Sequence, residues 1–407
     1  MKLFYKKIHR LLHKLFLNAN IECLHESELT AHDRDYYYYI DYYPGVPAPM
    51  GSLETLCRNF IKSNYESDPT YAALVNEHII TLGIPDIVRR ALNSGHTRLI
   101  IDTSVEGHID LGMYYIHQIF NVSEEQIIWI AGETLTKNKI RDFNRKYSVS
   151  VFNFWEAAVA HENKLSNLDK ETLVNMITNK TIKKYYNTYY NKRPRPHRFG
   201  LMIELYHKNM LDDMIWSWQG YEEGDVTSKR PYDYIMKFND DYKDSIDTIL
   251  SWDSLKNYKK QEFSFDMVIW NLDLADVHNT YYNLVTETSY GNDDVIFITE
   301  KTYKAMLMFQ PFLIWGCPYS IQTLNAAGYK TFDKWINHSY DLIENHNDRG
   351  AAIVNEVKRL NSISKEEWAE MCFEMLQDLE YNYNHLMNHY DRYSIDENFQ
   401  ITYKNIA

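Results

Sequence analysis

The stretch VIFITEKTYKAMLMFQPFLIWG, residues 295–316, decides the fold of the chain. An apolar run at 295–299 leads into the more polar segment 301–310, which must end before Pro311 because proline stops a helix. A second apolar run, 311–316, ends at a glycine. Apolar runs of this length bounded by such residues are typical of buried strands. The stretch therefore predicts a strand, a short helix and another strand, which is the repeating unit of an α/β domain.

A charged pair lies at the centre of this stretch. Thr299 is a suitable N-cap for a helix that starts at Glu300. Lys301 then lies in the first helical turn, where the helix dipole disfavours a cation. A lysine in that position suggests an anionic ligand such as a diphosphate, and Glu300 beside it can accept hydrogen bonds from a ribose diol. The alternative is an ion pair on the surface of the protein at the start of a helix.

Strand-like and helical segments alternate along the rest of the chain. The predicted strands are 98–104, 127–133, 148–155, 264–272 and 283–288, and a helix is predicted at 84–95. Strands separated by helices predict parallel sheets. From residue 351 onward we predict helix, because Ser364 and Glu367 form a capping box and an apolar stripe at helical spacing follows.

Composition limits the class of protein. The chain has 407 residues, 45% hydrophobic and 24% charged, which indicates a globular protein of two domains. No long apolar run predicts a transmembrane span. A net charge of −13 makes the chain a poor general binder of nucleic acid or anionic membrane, although a local basic patch would override that average. The four cysteines have no metal-binding spacing and fit a reducing cytoplasm.

The first 17 residues, MKLFYKKIHRLLHKLFL, contain five Lys or Arg residues and no acid. Their apolar residues recur at helical spacing, which predicts one amphipathic helix. Charges interrupt the apolar face too often for a secretory signal. A helix docked on its own protein is favoured over a helix lying on a membrane surface.

A basic segment divides the chain near its middle. Residues 172–203 contain no Asp or Glu and include YYNKRPRPHR at 189–198, where two prolines argue against a helix. A helix is predicted to follow at 198–213. We place a domain junction near this segment. Basic side chains just before this helix suit phosphate contact, with a solvated linker as the alternative; the candidates are Arg193, Arg195, His197 and Arg198.

Catalytic and metal-binding candidates are few. Glu106 follows the predicted strand 98–104 and is placed for general-base chemistry, although a solvated loop carboxylate is the simpler interpretation. If it is not the base, Asp102 and Glu133 are the next candidates. The one Asp-x-Asp, Asp33-Arg34-Asp35, has no strand before it, and phosphate-loop, dinucleotide and zinc motifs are absent from the sequence. We therefore predict no metal in the phosphate site.

These motifs together resemble a known family. The segment 285–332, VTETSYGNDDVIFITEKTYKAMLMFQPFLIWGCPYSIQTLNAAGYKTF, is similar to the donor-binding half of fucosyltransferase-like glycosyltransferases with the GT-B fold, many of which are encoded by phages. The matching features are the TET segment, the TEK helix start, QPFLIWG and the turn at 328–332. The basic segment resembles the R-x-HR segment of the phage proteins, and the resemblance covers about 185–345.

The resemblance implies a fold and a set of site residues. The fold would be α/β, with two Rossmann-like domains facing a cleft and C-terminal helices. The domains would be an acceptor-side domain at 1–180, a nucleotide-sugar-binding domain at 181–345 and helices at 346–407 that pack back on both. Glu300 would bind the ribose or sugar of the donor and Lys301 the diphosphate, with Thr299 at the helix start. One of the three arginines would partner Lys301, Glu287 would be the acid of the upstream segment, and Glu106 would be the base.

The function that follows is transfer of a hexosyl or pentosyl group from a nucleotide sugar to an acceptor hydroxyl. No cofactor is expected apart from the nucleotide-sugar donor. The acceptor would be hydroxymethylated pyrimidines in phage DNA, reached by base flipping, or a cell-surface or capsular glycan. An alternative in another class is a non-catalytic module that binds a nucleotide or sugar. The expected location is the cytoplasm, which is that of the host if a phage encodes the protein.

Overall fold

The computed structural model divides the chain into two compact units. The first unit comprises Met1–Trp155 and Tyr390–Ile406, and the second comprises Glu156–His389. The predicted boundary after residue 180 therefore falls inside the second unit, and the predicted region 346–407 is shared between the two. The residues described are 1–41, 53–65, 71–75, 84–105, 115–132, 134–135, 146–162, 171, 174–175, 184–188, 195–216, 240–251, 279–291 and 295–403.

The first unit is built on a six-stranded parallel sheet with the order β2-β1-β3-β4-β5-β7. The sheet contains β1 (Lys2–Tyr5), β2 (Glu22–His25), β3 (Tyr36–Asp41), β4 (Thr97–Thr103), β5 (Ile127–Ala131) and β7 (Ser148–Val151). The short strand β6 (Thr134–Leu135) lies outside this sheet. The helices of this unit are α1 (Arg10–Asn18), α2 (Leu53–Tyr65), α3 (Asp86–Asn93) and α4 (Ile116–Phe120), and α5 (Phe154–Glu162) leads into the second unit.

The central strands of this sheet form its core because they are apolar on both faces. Leu99, Ile100 and Ile101 of β4 and Trp129 of β5 are at most 1% exposed. Strands covered on both faces by helices have this composition. The strands predicted at 98–104 and 127–133 and the helix predicted at 84–95 are thus confirmed. The strand predicted at 148–155 is shorter, because α5 begins at Phe154.

The N-terminal prediction is half wrong. Residues Lys2–Tyr5 form a strand, not the first turn of a helix, and this strand lies between β2 and β3. Leu3 and Phe4 are both buried, on opposite faces of the sheet, as expected for neighbouring residues of a strand. The helical spacing of the apolar residues did not predict this strand. The helix is α1, and it docks on its own protein as expected, since Leu11, Leu12, Leu15 and Phe16 are buried.

The second unit contains a four-stranded parallel sheet with the order β12-β10-β8-β9. The sheet contains β8 (Lys184–Thr188), β9 (Met214–Trp216), β10 (Thr280–Thr286) and β12 (Phe312–Trp315). The short strand β11 (Val295–Ile296) lies outside this sheet. The helices of this unit are α6 (Pro196–His207), α7 (Lys243–Leu250), α8 (Glu300–Leu307), α9 (Ser320–Ala326), α10 (His346–Asn361) and α11 (Lys365–Met387). The strand predicted at 264–272 lies outside the described residues.

The stretch 295–316 folds as its sequence predicts. The short strand β11 leads into α8, which ends before Pro311, and β12 follows as a buried strand beside β10. The connection from helix to strand is tight: Phe309 adopts a left-handed φ of 53°. The amide of Gln310 donates to the carbonyl of Ala305 at 2.9 Å. This geometry brings the start of α8 and the end of β10 to the same edge of the sheet.

The C-terminal helices are confirmed as far as Met387. The capping box is present, since the Ser364 hydroxyl accepts from the amide of Glu367 and the Glu367 carboxylate accepts from the amide of Ser364. The prediction of helix beyond Met387 is wrong, because the antiparallel strands β13 (Tyr393–Ile395) and β14 (Ile401–Tyr403) follow. Asp396 favours this turn because its carboxylate accepts from the amides of residues 398 and 400 at 2.9 and 2.8 Å.

The α/β fold class is therefore confirmed, with a parallel sheet in each unit. Within the described ranges, no helix is long and apolar enough to span a bilayer.

Candidate functional site

The candidate site lies at the carboxyl end of β10, in the second unit. The strand is buried throughout, and the chain leaves it at Glu287 and enters α8 at Glu300. Thr299 is the N-cap of α8, as predicted, and its hydroxyl accepts from the amide of Lys301 at 3.5 Å. Ligands of open α/β sheets bind at this edge, where helix N-termini supply the positive partial charges that bind anions.

Glu287 fixes the start of α8 against the end of β10. Its carboxylate is fully buried and receives four hydrogen bonds. Oε1 accepts from the amide of Thr299 at 3.0 Å and from the hydroxyl of Thr302 at 2.6 Å. Oε2 accepts from the hydroxyl of Thr299 at 2.6 Å and from the amide of Thr288 at 3.2 Å. Glu287 thus holds the site in shape, and its predicted contact with the donor stays a prediction.

Glu300 and Lys301 form a largely buried ion pair. Lys301 Nζ lies 2.7 Å from Glu300 Oε1, and the two side chains are 11% and 9% exposed. The ammonium also donates to the hydroxyls of Thr299 at 3.1 Å and Thr288 at 3.4 Å. Burial raises the pKa of Glu300, but the charges of Lys301 and Lys304, together with hydrogen bonds from Lys301 and from a backbone N–H, outweigh it and leave that pKa lowered. The interpretation as a solvated surface ion pair is therefore wrong.

Sequence reasoning missed Lys304. Its side chain is fully buried one helical turn after Glu300. Burial lowers the pKa of Lys304 to about 7, the Glu300 carboxylate acts to raise it and Lys301 acts to lower it. A lysine four residues after a glutamate is the favourable order for attraction on a helix, and that spacing is the signal in the sequence. The start of α8 therefore carries one carboxylate and two lysines.

The basic segment approaches the same strand end from the start of α6. The prediction that its prolines exclude helix is wrong at Pro196, which occupies the first helical position. Proline is favoured there because its missing N–H has no partner inside the helix anyway. Arg195, the N-cap residue, donates from Nη1 to the carbonyl of Thr288 at 2.8 Å. Arg198 donates from Nη2 to the carbonyls of Thr286 at 3.1 Å and Glu287 at 3.3 Å.

His197 is fully buried between these arginines. Its Nε2 lies 2.9 Å from the carbonyl of Glu287, so Nε2 carries the proton. Its ring stacks on Tyr290 at a centroid distance of 4.1 Å and meets the edge of Trp315 at 5.8 Å. Burial, together with the charges of Arg198 and Arg195, holds the pKa of His197 well below its usual range. The imidazole is therefore neutral and acts as a packing and hydrogen-bonding group.

Arg349 of α10 is hydrogen-bonded to the main chain beside the site and was not found from the sequence. It is 1% exposed and donates to main-chain carbonyls alone among its described hydrogen bonds. These carbonyls include Gly316, at the end of β12, and Tyr290, in the segment after β10. The contacts that join this arginine to the site are with carbonyls 33 and 59 residues away, so the local sequence does not reveal them.

The predicted donor-site residues are therefore largely brought together. Arg195 and Lys301 both contact Thr288, one through the carbonyl and one through the hydroxyl. Glu287 and Glu300 lie next to them in the same network. Arg193 lies outside the described residues. The arrangement offers two cations and two helix N-termini at one strand end, which is suited to binding an anion with two phosphate groups.

The catalytic candidates of the first unit have a different outcome. Glu106 and Glu133 lie outside the described residues. Asp102 is 1% exposed, and its carboxylate accepts from Tyr39 Oη at 2.5 Å and from the amide of Ser104 at 2.8 Å. Burial raises the pKa of Asp102. Its hydrogen bonds within the sheet make a structural role sufficient to explain it.

Possible metal ligands are not clustered in the described part of the chain. No group of three or more His, Cys, Asp or Glu side chains there could hold a metal ion. Asp33 of the Asp-x-Asp accepts hydrogen bonds from Lys2 Nζ at 3.2 Å and from the hydroxyl of Thr30 at 2.8 Å. Metal independence stays a prediction.

Comparison with known proteins gives structural neighbours alone. No family model and no curated protein matches the sequence. A structure of trehalose-6-phosphate synthase is 11% identical, over 95% of this chain and 76% of that chain, with a TM-score of 0.39. A second, described as "Trehalose-6-phosphate from E. coli bound with UDP-2-fluoro glucose", is 13% identical over 94% and 78%, with a TM-score of 0.37. Since both TM-scores are below 0.5, the functional assignment rests on the residues of the site.

Proposed function

We propose that this chain is a glycosyltransferase that moves a sugar from a nucleotide-sugar donor to an acceptor hydroxyl without a metal ion. One observation carries the proposal: Arg195 and Lys301, at the N-termini of two helices, both contact Thr288 at the carboxyl end of β10. Ligands of open α/β sheets bind at that edge. Two cations beside two helix N-termini favour a diphosphate over a neutral ligand.

The chemistry follows from the charge that develops on the leaving group. When the bond between the sugar carbon and the diphosphate breaks, negative charge builds on the diphosphate oxygens. Lys301, Arg195 and the helix amides are placed to stabilise that charge, which a metal ion would otherwise do. Their positions are set before reaction by Thr288 and by the four hydrogen bonds of Glu287.

Glu300 is assigned to the sugar end of the donor. Its Oε1 is engaged by Lys301 at 2.7 Å, and an ionised carboxylate can accept further hydrogen bonds. The charges of the two lysines and the hydrogen bonds to the carboxylate lower the pKa of Glu300 despite its burial, so Glu300 is ionised at neutral pH. It can therefore accept hydrogen bonds from a ribose diol or from sugar hydroxyls.

The acceptor half of the reaction depends on a base. The acceptor oxygen forms the new bond to the sugar carbon while its proton moves to a carboxylate. Glu106 is proposed for that role because the family resemblance implies it. Hydroxymethylated pyrimidines in DNA and a cell-surface or capsular glycan are the two acceptor classes proposed.

The experiment is a panel of nucleotide sugars incubated with the protein and each acceptor class in turn. Release of nucleoside diphosphate and the mass of the acceptor are measured, with Lys301→Ala as the site variant and Lys358→Ala, an exposed lysine of α10, as its matched control. The proposal predicts transfer by the parent and by Lys358→Ala and a large loss in Lys301→Ala. Tight binding of a nucleotide sugar with neither hydrolysis nor transfer would instead indicate a binding module.

A further inference from the structure

We propose that Lys304 is a positioning residue that balances the charge of Glu300 when a donor diphosphate engages Lys301. The inference rests on the proposed donor site and adds to it a residue with no predicted role. It starts from the contacts of Lys301, whose ammonium has Glu300 as its carboxylate partner at 2.7 Å. A diphosphate bound at Lys301 must share that ammonium with Glu300.

If Lys301 also pairs with a diphosphate, the negative charge of the buried Glu300 carboxylate is no longer fully balanced. The Glu300 side chain is 9% exposed, so water can compensate little of its charge. A buried carboxylate without a compensating cation is strongly unfavourable. Lys304 lies one helical turn further along α8 and is fully buried. Its positive charge acts on the Glu300 carboxylate. Lys304 is withdrawn from solvent, whereas the Lys301 side chain keeps 11% of its surface exposed.

The neighbouring elements offer no other described cation with this role. α8 packs against β10, β12 and α11. Strand β12 has the sequence FLIW, with no charge, and β10 leads into Glu287, which is hydrogen-bonded to Thr302 on α8. On the buried face of α11, burial raises the pKa of the Cys372 thiol to about 12 and keeps it neutral. The half-buried titratable groups of the same helix include Tyr383, which stacks on Phe309, and His385, which lies 2.7 Å from the carbonyl of Ala327. Tyr303 of α8 meets Tyr329, which donates to the buried Glu156, itself 3.1 Å from His389.

The protonation of Lys304 then becomes linked to ligand binding. Burial lowers the pKa of Lys304 to about 7, with Glu300 raising it and Lys301 lowering it. A bound diphosphate adds negative charge close by, which raises this pKa in the complex. Protonated Lys304 therefore favours binding, the complex takes up protons near and above pH 7, and affinity falls as pH rises above about 7.

Calorimetric titration tests the linkage. Uridine and guanosine diphosphates are titrated into the full chain from pH 6.5 to 9, in buffers of different ionisation enthalpy that report proton uptake. The variants are Lys304→Arg, which keeps a permanent charge, and Lys304→Met, which removes it. Lys358→Met is the control, because that lysine is exposed. The terminal phosphate of the free ligand also titrates, but the free ligand is the same in every titration, so a difference in pH dependence between the parent and Lys304→Arg reports the charge at position 304.

We expect Lys304→Arg to bind about as tightly as the parent at pH 6.5, without the extra proton uptake and without the loss of affinity above pH 7. Lys304→Met should bind at least tenfold more weakly at pH 6.5. Identical proton uptake and pH profiles in the parent and Lys304→Arg would overturn the inference while leaving the donor site intact, and so would parental affinity in folded Lys304→Met. If no nucleoside diphosphate binds the parent, the proposed function fails and the inference fails with it.

Discussion

Replacing Glu287 by glutamine tests how the site is held together. Each carboxylate oxygen receives one backbone N–H and one hydroxyl: Oε1 from Thr299 and Thr302, and Oε2 from Thr288 and Thr299. A glutamine amide has one oxygen, so its NH₂ group must face one of the two backbone N–H groups in either orientation. The hydroxyl on that side can rotate and accept, but the backbone N–H loses its acceptor.

The expected loss follows from these bonds. A hydrogen bond to a charged group contributes roughly 1.5–3 kcal/mol, and the remaining bonds weaken when the acceptor becomes neutral. We expect Glu287→Gln to lower the free energy of unfolding by about 2–4 kcal/mol. Thr302→Val, which removes one donor to the same carboxylate, should cost about 1.5 kcal/mol. Because the two changes share a hydrogen bond, the double variant should lose less than the sum of the single losses.

Urea unfolding gives these differences, and hydrogen exchange of the peptide that contains α8 localises them. Glu370→Gln, at an exposed position of α11, is the matched control and should leave both readouts unchanged. Removing a buried charge that lacked hydrogen-bond partners would stabilise the protein. Parental or higher stability of Glu287→Gln would therefore refute the assignment of Glu287 as the residue that orders the start of α8.

Three further predictions concern ligand binding and turnover. Lys301→Ala should weaken nucleoside-diphosphate binding by about 1.5–3 kcal/mol in calorimetry, since it removes a charge-assisted contact; unchanged affinity would contradict the site. Transfer should continue in EDTA because the cations replace a metal, and a loss restored by manganese would show that the phosphate site is misassigned. Glu106→Gln should lower turnover by roughly 10²–10⁴ through loss of the base, with donor affinity preserved; near-parental turnover would eliminate Glu106.

The fold was predictable where buried strands are continuous apolar runs. Strands β4, β5 and β12 are of this kind, and the N-cap of α8 followed from Thr299 in front of a charged first turn. Local chemistry determines these elements, so local sequence reveals them. The four-residue strand β1 was missed because its apolar residues also fit the period of the helix that follows.

The charged residues of the site could be predicted from the sequence, but the hydrogen-bond network that joins them could not. Lys301 was found from its position at a helix start, and Arg195 from its place in a basic segment that precedes a helix. That both contact Thr288 depends on the pairing of β8 with β10, which joins residues about a hundred positions apart. Lys304 and Arg349 were missed because their importance lies in burial, which tertiary packing alone creates.

The most direct test of the account is a crystal structure of the protein with the nucleoside diphosphate that binds it most tightly. The account predicts phosphate oxygens within hydrogen-bonding distance of Lys301 Nζ and the Arg195 guanidinium, at the carboxyl end of β10. It also predicts a ribose or sugar hydroxyl on the Glu300 carboxylate. A diphosphate bound elsewhere on the protein, with the Glu300–Lys301 pair unchanged, would contradict the account.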